Sequence, residues 1–187
     1  MNQTSVFILP GLGNSGPEHW QSCWENKHPS FKRIHQVEWE VPDCHDWVTT
    51  LDQAIAASQQ AIVLVAHSAA RTLISHWAIY AKNSLHRKKV KAALLVAPSD
   101  VEADGYPPGT KNFRPMPLQA LPFPSIVVAS TNDIYVSFER AQFFAQAWGS
   151  RLVSIGAAGH INAASALGDW WQGMQMLEQL CNGEKQI

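Results

Sequence analysis

The chain has 187 residues, 46% of them hydrophobic and 16% charged, and its 14 basic and 15 acidic residues give a formal net charge of -1. A chain of this length buries roughly 70% of its extended surface, so we predict a single domain over residues 1–187 whose core needs no disulfide or metal. The near-neutral charge provides no basic surface for nucleic acid or for an anionic membrane, and we expect neither as a partner.

The cysteines and the N-terminal residues indicate the cellular compartment of the protein. Cys23, Cys44 and Cys181 are odd in number, widely spaced and form no C-x-x-C pair, which favours a reducing compartment. No positively charged segment precedes the first apolar run, and no apolar stretch approaches the roughly 20 residues of a membrane span. We therefore expect a cytoplasmic protein.

Short aliphatic runs alternate with helix-length amphipathic segments, which predicts βα units around a parallel sheet. The predicted strands, in chain order, are residues 5–9, 33–37, 61–66, 91–96, 125–130 and 151–155. The predicted helices are residues 18–27, 46–59, 69–82, 138–148 and 170–181. The third strand and most of the fourth are apolar throughout, as expected of central strands that helices cover on both faces.

The segment 98–124 breaks this alternation, because it carries seven of the eleven prolines and shows no clear period. A long stretch without regular structure inside a compact domain is uncommon and is usually functional, for example as the wall of a site. The alternative is an ordered surface crossing that covers a sheet edge. Both interpretations stay open.

A glycine-rich run, Gly11–Gly16, follows the first predicted strand. With Glu38 about 20 residues beyond it, the run matches the dinucleotide-binding fingerprint, in which a helix begins within the glycines. Pro17 is tolerated only in the first turn of a helix, so this helix begins at Pro17 or later and the phosphate cradle is misplaced. We predict no cofactor, and because the histidines show no metal-ligand spacing we predict no metal.

Ser68 stands between the most apolar strand and the following helix, where a strand-turn-helix elbow exposes a nucleophilic hydroxyl above the sheet. Its neighbours Ala66, Ala69 and Ala70 are small, although the G-x-S-x-G pattern of such elbows has glycines. A serine in this position also serves as a helix N-cap, so the hypothesis of a nucleophile depends on partners elsewhere in the chain.

A serine nucleophile needs a histidine base and a buried acid that orients the histidine. Asp133 follows the fifth predicted strand and His160 follows the sixth, which is the order that doubly wound hydrolases use, each at the carboxyl end of its own strand. Asp100, after the fourth strand, is the alternative acid. His19 and His67 flank the site, and we expect a packing role for both.

Together these motifs resemble the small serine hydrolases of the α/β-hydrolase superfamily that are related to retinoblastoma-binding protein 9. The resemblance runs almost end to end and rests on a set of short motifs: Pro10-Gly11 with Gly13, His19-Trp20, Ala66-His67-Ser68, Val96-Ala97-Pro98, Leu121–Ser125, Ala129-Ser130 with Asn132-Asp133 and Tyr135, and Gly159–Asn162. The sequence departs from the family at Ala69-Ala70, which replaces glycine, and at Ile134, where many relatives have proline.

The resemblance implies a three-layer, minimal α/β-hydrolase fold, with a six-stranded parallel sheet of order 2-1-3-4-5-6 and a catalytic triad of Ser68, Asp133 and His160. In that strand order the loops after the first and third strands meet at the switch point of the sheet. The backbone N–H groups of Leu12 and Ala69 are then expected to form the oxyanion hole.

The resulting hypothesis is a serine hydrolase that acts on a small acyl ester-like substrate. Ser68 attacks the carbonyl, His160 takes and returns the proton, Asp133 fixes the imidazole tautomer, and water clears the acyl-enzyme. The alternative is a non-catalytic protein- or ligand-binding module on a hydrolase scaffold, which the alanine-flanked elbow keeps open. The sequence indicates no particular protein partner.

Overall fold

The computed structural model describes residues 4–110 and 112–183. Its six strands form one parallel sheet in the order β2-β1-β3-β4-β5-β6, which confirms the predicted fold class and strand order. In chain order the strands are β1 (Ser5–Leu9), β2 (Phe31–Arg33), β3 (Ile62–His67), β4 (Val90–Val96), β5 (Ser125–Ala129) and β6 (Arg151–Ser154).

Helices connect all of these strands except β4 and β5, which the proline-rich segment joins, and helices cover the sheet. In the described part of the chain they are α1 (Trp20–Lys27), α2 (Cys44–Ala57), α3 (Ala69–Tyr80), α4 (Phe138–Trp148) and α5 (Trp171–Asn182), together with two short 3₁₀ segments, Leu85–Lys89 and Ala163–Ser165. Helix α4 has the predicted bounds, and the other four begin and end within about two residues of the prediction, which is the usual uncertainty of a helix end.

Alternate residues of the central strands face opposite helix layers. Val63 and Val65 of β3 belong to the apolar cluster that contains side chains of α1 and α5. Leu64 and Ala66 of the same strand belong to the cluster formed with α2, α3 and α4. Because helices cover both faces of the sheet, a central strand has no solvent-facing side and carries apolar residues throughout.

Tryptophans fill the layer of α1 and α5. The ring of Trp170 lies 4.9 Å from that of Trp20 and 5.9 Å from that of Trp24, measured between centroids. Trp170 precedes α5 with a left-handed backbone (φ 38°) and is buried, whereas Trp171 is exposed. A Cβ atom at Gly173 would lie 2.3 Å from Cε3 of Trp170, so only glycine fits beneath this ring.

The sequence predicts the second strand at residues 33–37, and this is wrong. The strand spans Phe31–Arg33, and the chain then leaves the sheet, so that Val37 is exposed to solvent. The carbonyl of Trp39 accepts a hydrogen bond of 3.0 Å from the N–H of Gly13, which places this segment against the glycine-rich loop rather than in the sheet. Tertiary packing against that loop therefore overrides the local strand pattern.

The proline-rich segment packs closely against the rest of the protein. Val101 and Phe113 are completely buried, and Met116 and Phe123 are nearly so, within the same apolar cluster as α2, α3 and α4. Lys111 lies outside the described residues. Part of the segment thus packs on the helix layer, and another part, which includes Tyr106 and Pro107, faces a cavity.

The described residues bear only partly on the predicted location. No helix within residues 4–110 and 112–183 is long and apolar enough to cross a membrane. Cys23, Cys44 and Cys181 are free thiols. The cytoplasmic location itself stays a prediction.

The order of the strands creates a switch point between β1 and β3. These strands are neighbours, but the chain continues from β1 towards β2 at one edge and from β3 towards β4 on the other side. The connections therefore diverge above this pair, where open α/β sheets bind their ligands. Gly11–Gly16 follows β1 and Ser68 follows β3, so both lie at the switch point.

Candidate active site

Ser68 occupies a sharp turn between β3 and α3. Its backbone has φ 56° and ψ −125°, a conformation that costs a non-glycine residue of the order of 1–3 kcal/mol and that is typical of functional sites. The Ser68 N–H donates to the carbonyl of Val96 at 3.0 Å, which fixes the turn against β4. Ala69 and Ala70 are completely buried, so the turn accommodates alanine where the G-x-S-x-G pattern has glycine.

The side chain of Ser68 makes no N-cap hydrogen bond to α3, which excludes the helix-cap explanation of this serine. Its Oγ lies 2.9 Å from Nε2 of His160. Nδ1 of His160 in turn lies 2.8 Å from Oδ2 and 3.0 Å from Oδ1 of Asp133. With the Nδ1 proton donated to the carboxylate, Nε2 is free to accept the proton of the Ser68 hydroxyl.

The pair of Asp133 and His160 is shielded from water. The Asp133 side chain is completely buried, and the His160 side chain is 9% exposed. Oδ1 of Asp133 also accepts a hydrogen bond of 2.9 Å from the N–H of Tyr135, whose ring packs edge-on against the imidazole at a centroid distance of 4.6 Å. The carboxylate therefore has a fixed orientation towards Nδ1.

Further hydrogen bonds tie the loop of His160 to the loop of Asp133. The N–H of Gly159 donates to Oδ1 of Asn132 at 2.7 Å, and the N–H of Ala158 donates to Oγ of Ser130 at 2.9 Å. Ser130 and Asn132 also bond to each other, at 2.8 Å. The sequence places Ser130 and Asn132 next to Asp133 but gives no sign that they also bond to the loop of His160.

His19 and His67 lie beside the site and are both nearly inaccessible to solvent. Burial, together with the nearby charges of Arg33 and His160, lowers the pKa of His19 to about 4. Nδ1 of His19 accepts from the N–H of Gln21 at 3.1 Å and caps α1. The packing role predicted for His19 agrees with these contacts. Nε2 of His67 lies 2.9 Å from the carbonyl oxygen of His160, a bond that has no signal in the sequence.

Asp100, the alternative acid of the sequence hypothesis, bonds to Arg140 and Glu102 rather than to His160. Its Oδ2 accepts a hydrogen bond of 2.7 Å from Nε of Arg140, and its Oδ1 accepts one from the N–H of Glu102 at 3.1 Å. The bond to Asp100 also raises the pKa of Arg140. The structure thus pairs His160 with Asp133, and Asp100 forms an ion pair between the segment after β4 and helix α4.

The glycine-rich loop packs directly against the turn of Ser68. A Cβ atom at Gly11 would lie 2.8 Å from Cβ of Ser68 and 3.3 Å from the backbone N of Ala69, which explains glycine at this position. The N–H of Ala69 lies in the first turn of α3 and has no intrahelical acceptor. The N–H of Leu12 likewise has no acceptor within residues 4–110 and 112–183. Both amides named in the sequence hypothesis are therefore available near Ser68.

The same loop does not form a dinucleotide cradle. Helix α1 begins at Trp20, after the last glycine of the run, so its N-terminus does not face the loop in the manner of the fingerprint. Glu38 is exposed and accepts hydrogen bonds from the N–H groups of Glu40 and Val41. These contacts are those of a local turn.

A cavity of about 210 Å³ opens beside Ser68. The described residues that line it carry no carboxylate, lysine or arginine side chain; they are Leu12, Asn14, His19, His67, Ser68, Ser99, Tyr106, Pro107, Tyr135, His160 and Asn162. Ser99, Tyr106 and Pro107 come from the proline-rich segment, which contributes this part of the wall. Oγ of Ser99 lies 2.8 Å from Oγ of Ser68, a contact that sequence reasoning did not find.

Residues 6–179 match the family model described as serine hydrolase. The chain belongs to the serine hydrolase family. A protein from Pectobacterium atrosepticum, described as a YdeN-like hydrolase, has 33% sequence identity and a TM-score of 0.82, covering 96% of this chain and 91% of that one. The ydeN gene product of Bacillus subtilis has 17% identity and a TM-score of 0.71, covering 96% and 100%. No curated protein matches the chain.

More distant structures share the fold of this serine hydrolase. Carboxylesterase CesB of Bacillus subtilis has 14% identity and a TM-score of 0.65, covering 96% of this chain and 84% of that one. Est1E of Butyrivibrio proteoclasticus has 14% identity and a TM-score of 0.67, covering 97% and 90%. The serine hydrolase thus has the α/β-hydrolase fold, with its sheet in the predicted order.

Proposed function

We propose that this serine hydrolase cleaves small, uncharged acyl esters, with Ser68 as the nucleophile, His160 as general base and acid, and Asp133 as the group that orients His160. The observation that carries the proposal is the continuous chain of hydrogen bonds, 2.9 and 2.8 Å long, from Ser68 Oγ through the imidazole to the buried carboxylate. A chain of this kind activates a hydroxyl that is otherwise a poor nucleophile.

In the first half-reaction, His160 Nε2 takes the hydroxyl proton as Oγ of Ser68 bonds to the ester carbon. The carbonyl electrons move onto oxygen, where the N–H groups of Leu12 and Ala69 hold the oxyanion. Each such donor typically contributes about 3–4 kcal/mol to stabilising the transition state. The imidazolium then protonates the departing alcohol, and water clears the acyl-enzyme by the same route.

The cavity supports a small substrate without a formal charge. Its volume of about 210 Å³ falls below the roughly 300–1,000 Å³ of sites for drug-sized ligands. Because the residues from 4–110 and 112–183 that line it carry no carboxylate, lysine or arginine side chain, a charged acyl group would lose hydration without gaining an ionic partner. Short, neutral acyl groups fit both constraints.

Short motifs of the chain also indicate its relatives among the serine hydrolases. We place it beside the hydrolases related to retinoblastoma-binding protein 9, on the motifs around Ser68, Asp133 and His160. Alanines in place of glycines at the elbow were the reason to consider a non-catalytic binding module. The turn forms with Ala69 and Ala70 fully buried, so these alanines give that alternative little support.

A fluorophosphonate probe tests the nucleophile. We expect labelling of the wild-type protein and of Ser30→Ala, a control at an exposed serine, and no labelling of Ser68→Ala. Hydrolysis of short acyl esters is expected for the wild-type protein and for Ser30→Ala, and Ser68→Ala should lose it because the attacking hydroxyl is gone. Equal labelling of Ser68→Ala and wild type contradicts the assignment, and the absence of turnover on all short esters favours a binding module.

A further inference from the structure

A second hydroxyl touches the proposed nucleophile. Oγ of Ser99 lies 2.8 Å from Oγ of Ser68 and belongs to a residue that is 1% exposed. Ser99 follows β4 and is the second residue of the proline-rich segment, part of which lines the cavity. The proposed triad does not use this contact, so its role needs a separate explanation.

The direction of this hydrogen bond follows from its surroundings. Ser68 has one hydroxyl proton, and Nε2 of His160, 2.9 Å away, is a more basic acceptor than a hydroxyl oxygen. Within residues 4–110 and 112–183, Oγ of Ser99 has no other hydrogen-bond partner than Ser68. Ser99 therefore donates its proton towards a lone pair of Ser68 Oγ, while Ser68 donates to His160.

Arg71 holds Ser99 in place. Nη2 of Arg71 donates to the carbonyl of Ser99 at 2.8 Å. The guanidinium is completely buried and lies over the rings of Trp148 and Phe144, 4.2 and 5.3 Å from their centroids. Burial lowers its pKa to about 9, which leaves it charged at neutral pH. A fixed cation thus anchors the backbone that presents the Ser99 hydroxyl.

We propose that Ser99 is a further catalytic residue, whose hydroxyl stabilises negative charge on Ser68 Oγ as that atom leaves the acyl group during deacylation. The inference rests on the proposed function, in which Ser68 forms the acyl-enzyme. A residue of the cavity wall would then take part directly in deacylation.

The step balances without any added reactant. Water adds to the acyl carbon and gives a proton to His160 Nε2, which leaves a tetrahedral intermediate with its charge on the former carbonyl oxygen. That oxygen re-forms the carbonyl as the bond between carbon and Ser68 Oγ breaks, and the electron pair of this bond goes to Oγ. His160 then returns its proton to Oγ, and Ser99 keeps its own proton throughout.

The Ser99 bond is strongest at the moment of departure. In the acyl-enzyme, Ser68 Oγ is an ester oxygen and a weak acceptor, whereas in the transition state it carries developing negative charge. Hydrogen bonds to ionised acceptors are roughly twice as strong as neutral ones. In acylation the same bond already exists in the free enzyme and occupies a lone pair of the nucleophile, so its loss has a smaller effect on that step.

Pre-steady-state hydrolysis of 4-nitrophenyl acetate separates the two steps. For Ser99→Ala we expect a deacylation rate constant lower by about tenfold, the size of one lost hydrogen bond, and an acylation rate constant that changes much less. Acyl-enzyme then accumulates and is visible by mass spectrometry of the intact protein. An unchanged deacylation rate constant, or equal reductions of both steps, overturns the proposal.

Two further variants separate hydrogen bonding from packing. Ser99→Cys keeps the shape but offers only a weak donor, so it should deacylate slowly, whereas Ser99→Thr keeps the hydroxyl and should deacylate faster than Ser99→Ala. Ser75→Ala is the matched control, because Ser75 is also buried but lies outside the lining of this cavity, and both rate constants should match wild type. The reverse order of Cys and Thr contradicts a donor role.

The two proposals fail in different ways. If the fluorophosphonate does not label Ser68, the nucleophile assignment fails and the role of Ser99 fails with it. If Ser68 is labelled and Ser99→Ala deacylates as fast as wild type, the nucleophile stands and only the role of Ser99 is wrong.

Discussion

His67 is joined to His160 by a hydrogen bond from its side chain to the backbone: Nε2 of His67 lies 2.9 Å from the carbonyl oxygen of His160. Burial, reinforced by the neighbouring His160 and His19, lowers the pKa of His67 well below its ordinary value. The ring is therefore neutral, and because a carbonyl only accepts, the proton lies on Nε2. Since His67 directly precedes Ser68, this bond links the strand of the proposed nucleophile to the loop of the proposed base.

Removing that bond should lower turnover more than substrate binding. His67→Leu leaves the His160 carbonyl without its donor, which we expect to cost about 1–3 kcal/mol of stability and to reduce kcat by about tenfold as the imidazole loses its fixed position. KM should change little, because the cavity wall is otherwise kept. Steady-state kinetics and urea unfolding of the variant measure both effects.

His67→Gln is the matched variant, because its side-chain amide supplies an N–H donor of similar reach. It should recover part of the kcat that His67→Leu loses. A kcat for His67→Leu equal to that of wild type, or an equal loss in the two variants, shows that the bond does not position His160.

The stability of the protein should fall with acidification between pH 6.5 and 4. The unfolded chain protonates His19 near its ordinary pKa of 6.5, whereas the folded chain does so only at about 4. Between pH 6.5 and 4 the unfolded state binds a proton that the folded state does not. The contribution of His19 to the free energy of unfolding is therefore fully present above pH 6.5 and is lost as the pH falls. At about 1.36 kcal/mol per unit of pKa difference, His19 accounts for a loss of about 3 kcal/mol.

Urea unfolding at pH 7, 6 and 5 measures this slope. His19→Asn removes the titrating ring but keeps a side-chain acceptor for the N–H of Gln21, since asparagine is a good N-cap. The free energy of unfolding of this variant should depend less on pH than that of wild type. Some pH dependence should remain, because His67 is also buried and has a lowered pKa. Identical slopes in the two proteins contradict a neutral, buried His19.

Gly173→Ala should destabilise the layer of α1 and α5. The added Cβ meets the Trp170 ring at 2.3 to 2.6 Å, and this ring is packed against Trp20 and Trp24. Overpacking of such a core typically costs about 1–3 kcal/mol, which thermal unfolding resolves. Gly105→Ala is the control, because no atom lies within 4 Å of its added Cβ. Equal melting temperatures for the two variants contradict the close contact.

Much of the fold follows from sequence because its determinants are local. The uniformly apolar pattern of residues 62–66 identifies a strand covered on both faces, and the stripe that begins at Ala69 identifies α3. The bounds of the second strand cannot be predicted in this way. They depend on the hydrogen bond from the N–H of Gly13 to the carbonyl of Trp39, which holds the chain outside the sheet. Pairing at a sheet edge is decided by tertiary contacts, which a local pattern does not contain.

Some features of the candidate site can likewise be predicted from the sequence, and others cannot. Ser68, Asp133 and His160 are recognisable because each residue type follows its own strand, and the parallel sheet places the ends of those strands at one edge. The contacts of Ser99 with Ser68, and of His67 with the His160 carbonyl, join atoms whose approach depends on side-chain conformation. Serine after a strand and histidine beside a turn are too common for the sequence to single them out.

Gly11→Ala tests whether the glycine-rich loop and the turn of Ser68 act as one unit. The new Cβ would lie 2.8 Å from Cβ of Ser68 and 3.0 Å from the carbonyl oxygen of His67, so the loop or the turn must move. Either movement separates the N–H of Leu12 from that of Ala69 or displaces Ser68, the proposed nucleophile. A misplacement of about 1 Å costs on the order of 100-fold in rate, which we expect in kcat/KM.

Gly16→Ala, in the same loop, is the matched control. It has no neighbouring atom within 4 Å of its added Cβ and no positive φ, so its kcat/KM should stay close to that of wild type. Circular dichroism must show both variants folded before their rates are compared. If Gly11→Ala then hydrolyses esters as fast as Gly16→Ala, the approach of Gly11 to Ser68 is not needed for the reaction, and the oxyanion role proposed for the Leu12 amide loses its structural basis.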